Sequence, residues 1–177
     1  MRISFKSFTL VVLWAFPMVG MSQTVATVKS PDQNITVHLN LDNGSLFYEA
    51  FYETTPFLEK SPLGLQTSLS DFSQNLVYIS SSTKSINESY ELQKAKVSHV
   101  NYHANALSSI FTNSKQDTLL VHFQLSNRDI GFSYEIRSKE GRSNIKIYKE
   151  TTGFNIPDQA TTYITPQALP MTGWMET

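Results

Sequence analysis

An all-β, antiparallel sandwich is the fold this sequence predicts, and three observations carry that expectation. Apolar and polar residues alternate with period two in several windows. Turn signals separate those windows at spacings of about ten residues, and no window holds a 3.6-residue apolar period. Strands so patterned must cover their apolar face, and a second sheet is the usual cover.

Ile35, Val37, Leu39 and Leu41 alternate with Thr36, His38, Asn40 and Asp42, which predicts a strand with one buried face. Asn43-Gly44 predicts a tight hairpin, because both residues tolerate positive φ. Ser45 to Tyr52 carries Leu46, Phe47, Tyr48, Phe51 and Tyr52 on both faces, as a central strand would. Pro56 and Pro62 read as breaks, and Ser61 to Leu65 as a turn leading into a short strand. Leu76-Val77-Tyr78-Ile79 reads as a buried run and Ser80 to Ser85 as a polar loop. Glu88 to Leu92, Lys96 to His103 and Ala106 to Thr112 are expected as three strands. Leu119, Val121, Phe123 and Leu125 alternate with Leu120, His122, Gln124 and Ser126. Asn127 to Gly131 then turns the chain into a second alternation, Phe132, Tyr134 and Ile136, so the pair reads as a hairpin. Lys139 to Arg142 predicts a third turn and Asn144 to Lys149 a further strand. Gly153 to Thr177, with Pro157, Pro166 and Pro170, is expected to be irregular.

Composition narrows the chemistry. The 177 residues are 40% hydrophobic and 12% aromatic, enough for a core. A net charge of -1 with scattered basic residues offers no electrostatic footprint for nucleic acid. The absence of Cys excludes a disulfide framework, a thiolate metal site, a cysteine nucleophile and a lipidated cysteine anchor.

The N-terminus has the order of a secretory signal. Arg2 and Lys6 precede the apolar run Thr9 to Val19, which is too short to span a bilayer, and Gly20 and Ser22 follow as small residues. Cleavage is expected between Ser22 and Gln23; the competing reading is a buried N-terminal strand or helix. Removing Arg2 and Lys6 takes the net charge from -1 to -3. No second apolar segment of spanning length follows, and secretion without Cys suits a bacterial periplasm or surface. Residues 1–22 are thus read as a signal peptide and 23–177 as one domain.

Candidate chemistry in the remainder is sparse. His99 and His103 share a strand face but stand about 13 Å apart along it, too far for one ion, and His38 and His122 fall on polar strand faces. Glu49, Glu53, Glu59, Glu88, Glu91, Asp117, Asp129 and Glu135 are available for acid–base work, but no spacing selects a pair. Nucleophile-elbow and phosphate-loop motifs are absent. Tyr48, Tyr52, Tyr102, Tyr163 and Trp174 are candidates to stack on sugar rings, against the alternative that they fill a core. Trp174 lies in the irregular C-terminal stretch, where loops place binding groups.

Several segments taken in order resemble the N-terminal domain of glycoside hydrolase family 97. They are Ser30-Pro31-Asp32-Gln33-Asn34-Ile35, Ser45-Leu46-Phe47-Tyr48, Ser61-Pro62-Leu63-Gly64-Leu65 and Arg128-Asp129-Ile130-Gly131-Phe132-Ser133-Tyr134. Thr161-Thr162-Tyr163-Ile164-Thr165-Pro166-Gln167 and Pro170-Met171-Thr172-Gly173-Trp174-Met175 complete the set. Gln33, Asn34, Ile130 and Ser133 depart from the family pattern.

The resemblance implies a large sandwich like that of galactose mutarotases, expected in this chain only in part, followed in full-length members by a TIM barrel that carries the acid and the base or nucleophile. It implies a periplasmic or secreted α-glucosidase or α-galactosidase acting on an α-linked oligosaccharide. It also implies a calcium ion held by carboxylates, one of them just after the Gly173-Trp174-Met175 run and expected beyond Thr177, so the role is not transferred to Glu176. No catalytic or metal-ligating residue is therefore expected in this chain, and Gln167 and Trp174 are the substrate-contact candidates. The domain is expected to be incomplete, with open sheet edges and marginal stability. Two further readings stand beside this one: a stand-alone secreted glycan-binding sandwich, and a surface protein that binds nothing.

Overall fold

A computed structural model describes residues 23–93, 98–142 and 144–163. The described residues form ten strands and no helix. The first sheet has the order β1 (Gln23–Lys29), β2 (Ile35–Asp42), β3 (Ser45–Tyr52) and β4 (Thr55–Leu63). The second has the order β6 (Val77–Glu91), β7 (His99–Thr112), β8 (Thr118–Leu125) and β9 (Ile130–Arg137). Every pairing is antiparallel. A short third ribbon joins β5 (Leu65–Thr67) to β10 (Ile147–Glu150).

The core lies between the two larger sheets. Val37, Leu39, Leu46, Tyr48 and Ala50 from the first meet Leu107, Phe111, Leu119, Val121, Phe123 and Leu125 from the second. Tyr48 packs on Phe123 with ring centroids 5.7 Å apart, and Phe132 sits 5.9 Å from Phe123. These aromatic pairs add geometric preference to the area they bury. After β10 the chain runs back along β4: Thr151 donates to the Gly64 carbonyl, Gly153 to that of Pro62, and Glu59 to that of Asn155. This places the Gly153 carbonyl 3.2 Å from the Tyr48 hydroxyl, which donates to it, and brings Phe154 against Tyr48 and Phe132.

The two expected hairpins form. Asn43 and Gly44 adopt φ of 48° and 79°, and β2 and β3 pair in unbroken register from Ile35↔Tyr52 to Asp42↔Ser45. β8 and β9 pair from Leu125↔Ile130 to Thr118↔Arg137. β3 is central, as expected. β2 departs from one-sided burial, because Thr36 and Asn40 on its other face are buried too; Asn40 is held by Thr24 and donates to Glu49.

Other expectations are corrected. Pro56 and Pro62 do not break the chain but lie within β4, at the edge of the first sheet and beside two register shifts, where proline is tolerated. Leu76 is buried, but Val77 and Ile79 are 57% and 55% exposed, because a strand shows alternate residues to opposite faces. Ser80 to Ser85 is the middle of β6 rather than a loop, since β7 supplies its backbone partners and Ser109 and Asn105 bond to Ser81 and Ser85. The strands expected at 96–103 and 106–112 are one strand from His99 onward; residues 94–97 lie outside the described residues. The strand expected at 144–149 begins only at Ile147. β8 reaches only as far as Asn105 of β7, so the last six residues of β6 and the first six of β7 project as a two-stranded arm about 20 Å long. Among the described residues, β9 has no backbone partner on its outer edge.

Two outcomes are expected. An alanine at Gly44 would hold a left-handed φ and place its Cβ 2.8 Å from the Asn75 Cα, so Gly44→Ala should lower stability by about 1–3 kcal/mol in chemical denaturation. Burial, reinforced by Tyr134, pushes the Tyr48 phenol up from 10.0 to about 12. The unfolded chain thus loses this proton first, and stability that is complete below pH 10 falls as pH rises toward 12. Denaturation of Tyr48→Phe across that range should show a shallower alkaline fall than the parent; identical slopes would remove Tyr48 as its source.

Candidate functional site

The residues that alternate away from the core on β6 to β9 form the outer face of the second sheet. Register aligns them in rows across the strands. One row is Lys84, Ala106, Gln124 and Gly131; the next is Ser82, Ser108, His122 and Ser133. All of these but Ser82 line an open groove of about 460 Å³, walled at one end by Ile86. Lys84 is the sole charged residue among its lining residues.

Three of its polar side chains, Gln124, Ser108 and His122, have side-chain partners. The Gln124 amide donates to the Tyr102 hydroxyl at 2.9 Å. Ser108 Oγ lies 2.8 Å from His122 Nδ1, and His122 Nε2 lies 3.3 Å from Glu135, which Arg137 contacts at 2.7 Å. The Arg137 guanidinium holds the Glu135 carboxyl below its ordinary range, with His122 adding to the effect. The string of Ser108, His122 and Glu135 lacks the order of a hydrolytic triad, because the serine meets the Nδ1 side and the carboxylate the Nε2 side.

A second concavity, of about 240 Å³, opens where β4 faces β9. Tyr48 and Phe132 form its floor, Phe57 and Phe154 its walls, and Arg128 and Asp129 its rim. Phe57 is 37% exposed and Phe154 60%.

The structure separates the residues singled out from sequence. Tyr48 is wholly buried and is a core ring, not a stacking platform. Tyr102 is half-buried and holds Gln124, while Tyr52 and Tyr163 are exposed and neither lines the groove. His99 and His103 do share a face, on the arm, where they bond to Ser89 and Asn87. His38 bonds to Thr27. Asp117 is buried and accepts from Ser70 and the Lys139 backbone, a loop-holding role. Gln167, Trp174 and Glu176 lie outside the described residues, as does Ser22; Gln23 opens β1. Among the described residues no three His, Asp or Glu side chains converge, so they do not fit the calcium ion that the resemblance implies. The groove residues Ser108, Gln124 and Ser133 were missed in the sequence; the one signal for them was the polar half of each alternating strand.

Three comparisons bear on this arrangement. Residues 28–176 match the model of the family described as glycosyl-hydrolase 97 N-terminal. The chain is similar to the crystal structure of a beta-arabinopyranosidase, with 35% identity and a TM-score of 0.76 over 84% of this chain and 24% of that one. It is also similar to a glycoside hydrolase family 97 enzyme from Pseudoalteromonas sp. strain K8, solved in complex with panose and with acarbose. That likeness has 25% identity and a TM-score of 0.69 over 75% of this chain and 20% of that one. The chain therefore spans about a quarter to a fifth of the length of these structures. No curated protein matches it in sequence.

The ion pair beside the groove is open to test. Replacing Arg137 with Gln should raise the titration midpoint of the Glu135 carboxyl toward its ordinary range, read by carbon-13 NMR. A midpoint that does not move would show that the guanidinium leaves Glu135 unaffected.

Proposed function

This chain belongs to the glycosyl-hydrolase 97 N-terminal family, and from that premise we propose that it is the non-catalytic sandwich of a secreted α-glycosidase. The observation that carries this reading is the family match over 28–176, nearly the whole of the chain after the expected signal. Two features of the chain agree with it. No nucleophile motif is present, and apart from Lys84 the polar side chains of the groove are hydrogen-bonding groups suited to a polyol. In this reading the carboxylates that cut the glycosidic bond, and the calcium ion, belong to polypeptide other than the described residues. Secretion or residence in the periplasm rests on the pattern of residues 1–22.

The substrate proposed is an α-linked glucoside or galactoside. The higher identity to the beta-arabinopyranosidase favours the second. In the L series a β-arabinopyranoside has the ring configuration of an α-galactoside without its hydroxymethyl group, so one pocket geometry serves both.

Activity of the enzyme that carries this domain tests the proposal. Hydrolysis is expected of nitrophenyl α-galactoside and β-L-arabinopyranoside, more slowly of the α-glucoside, and is expected to fall on calcium chelation. Failure on all three sugars would overturn the glycosidase reading. Activity that chelation leaves intact would overturn the calcium assignment alone.

A further inference from the structure

Gly131 stands inside β9, where a glycine weakens a strand and calls for a reason. The two usual reasons are absent. The glycines with left-handed φ are Gly44, Gly64 and Gly141, so Gly131 does not need glycine for its backbone. A Cβ built on it would meet nothing closer than the Gln124 carbonyl oxygen at 4.0 Å, so no neighbour among the described residues needs the space either. The empty position opens outward into the groove. It flanks Gln124 on one side as Ala106 does on the other, giving a floor of small residues around a carboxamide that Tyr102 holds in place.

We propose that this groove is a binding subsite for a neutral α-linked oligosaccharide, with one sugar ring lying over Gly131 beside the Gln124 side chain. The inference rests on the glycosidase reading above and assigns it a place on the domain. The chemistry fits at each position. A pyranose offers a C–H face to small, flat backbone and a rim of hydroxyls that both donate and accept. Gln124, Ser108, His122 and Ser133 supply donors and acceptors on neighbouring strands, spaced about 5 Å apart by the ladder. Lys84 can donate to a hydroxyl at one end without demanding an anion. An open groove with neutral hydrogen bonds binds weakly, with Kd of about a millimolar.

The test is an NMR titration of the full chain with panose, with cellotriose as the β-linked control. Saturable shifts at Gly131, Gln124 and Ser108 with panose are expected. Gly131→Val fills the floor, and it should weaken binding by at least about tenfold. It should not lower the thermal midpoint, since valine favours a strand and its Cβ enters open space. Gln124→Ala should also weaken binding, at the groove's centre. Panose binding that is equal in Gly131→Val, or shifts elsewhere, would overturn the groove while leaving carbohydrate binding by the domain. No saturable binding up to about 10 mM would overturn the subsite outright; the enzyme assay above would stand or fall separately.

Discussion

The packing of Tyr48 against Phe123 and Phe132 is the contact on which the rest of the described structure depends. It joins the central strand of one sheet to the two strands at one side of the other. It also recruits the chain beyond β10: the Tyr48 hydroxyl, the one polar atom of a wholly buried ring, finds its acceptor on Gly153. A buried hydroxyl without a partner costs about 1–3 kcal/mol, so the returning segment is tied to the core rather than laid loosely on it. Phe154 follows from that tie and extends the aromatic seam toward solvent.

Committing the inner face of β6 to β9 to the core decides what the outer face can be. Strand geometry sends every second residue outward, and cross-strand register gathers those residues into rows. The same side chains that keep β8 from being apolar on both faces, His122 and Gln124, thereby become neighbours of Ser108 and Ser133. The groove is a by-product of sandwich building that the sequence has lined with polar side chains, Lys84 the one charged among them, and small residues. A polar outer face would need no glycine; the one in β9 is the feature that sandwich building alone leaves without a cause.

Membership of a glycoside hydrolase family gives this surface its setting, and the short span of the match sets its limits. A chain that covers about a quarter of a related enzyme shares that enzyme's scaffold over the matched part. Fold alone does not carry chemistry, which resides in particular groups at particular distances. Among the described residues Asp117 holds a loop, Glu135 meets Arg137 and His122, and the other histidines bond to hydroxyls and amides on neighbouring strands.

Local patterning determined a good deal by itself. The alternation of Ile35 to Leu41 and of Leu119 to Leu125 settled two strands, and Asn43-Gly44 settled a hairpin, because period and positive φ are properties of a few adjacent residues. The family resemblance was legible for the same reason, as short segments in order. Other features were decided only by tertiary structure. Ser80 to Ser85 is polar enough for a loop, yet it is a strand because β7, some 25 residues on, satisfies its backbone. Pro56 and Pro62 sit in a strand because that strand is an edge. Ser108, Gln124 and Ser133 became one site only when register set three strands side by side. Backbone hydrogen bonds between distant segments carry no mark in either segment alone, so the sequence displays which residues favour a strand and the assembled sheet decides which strands they join.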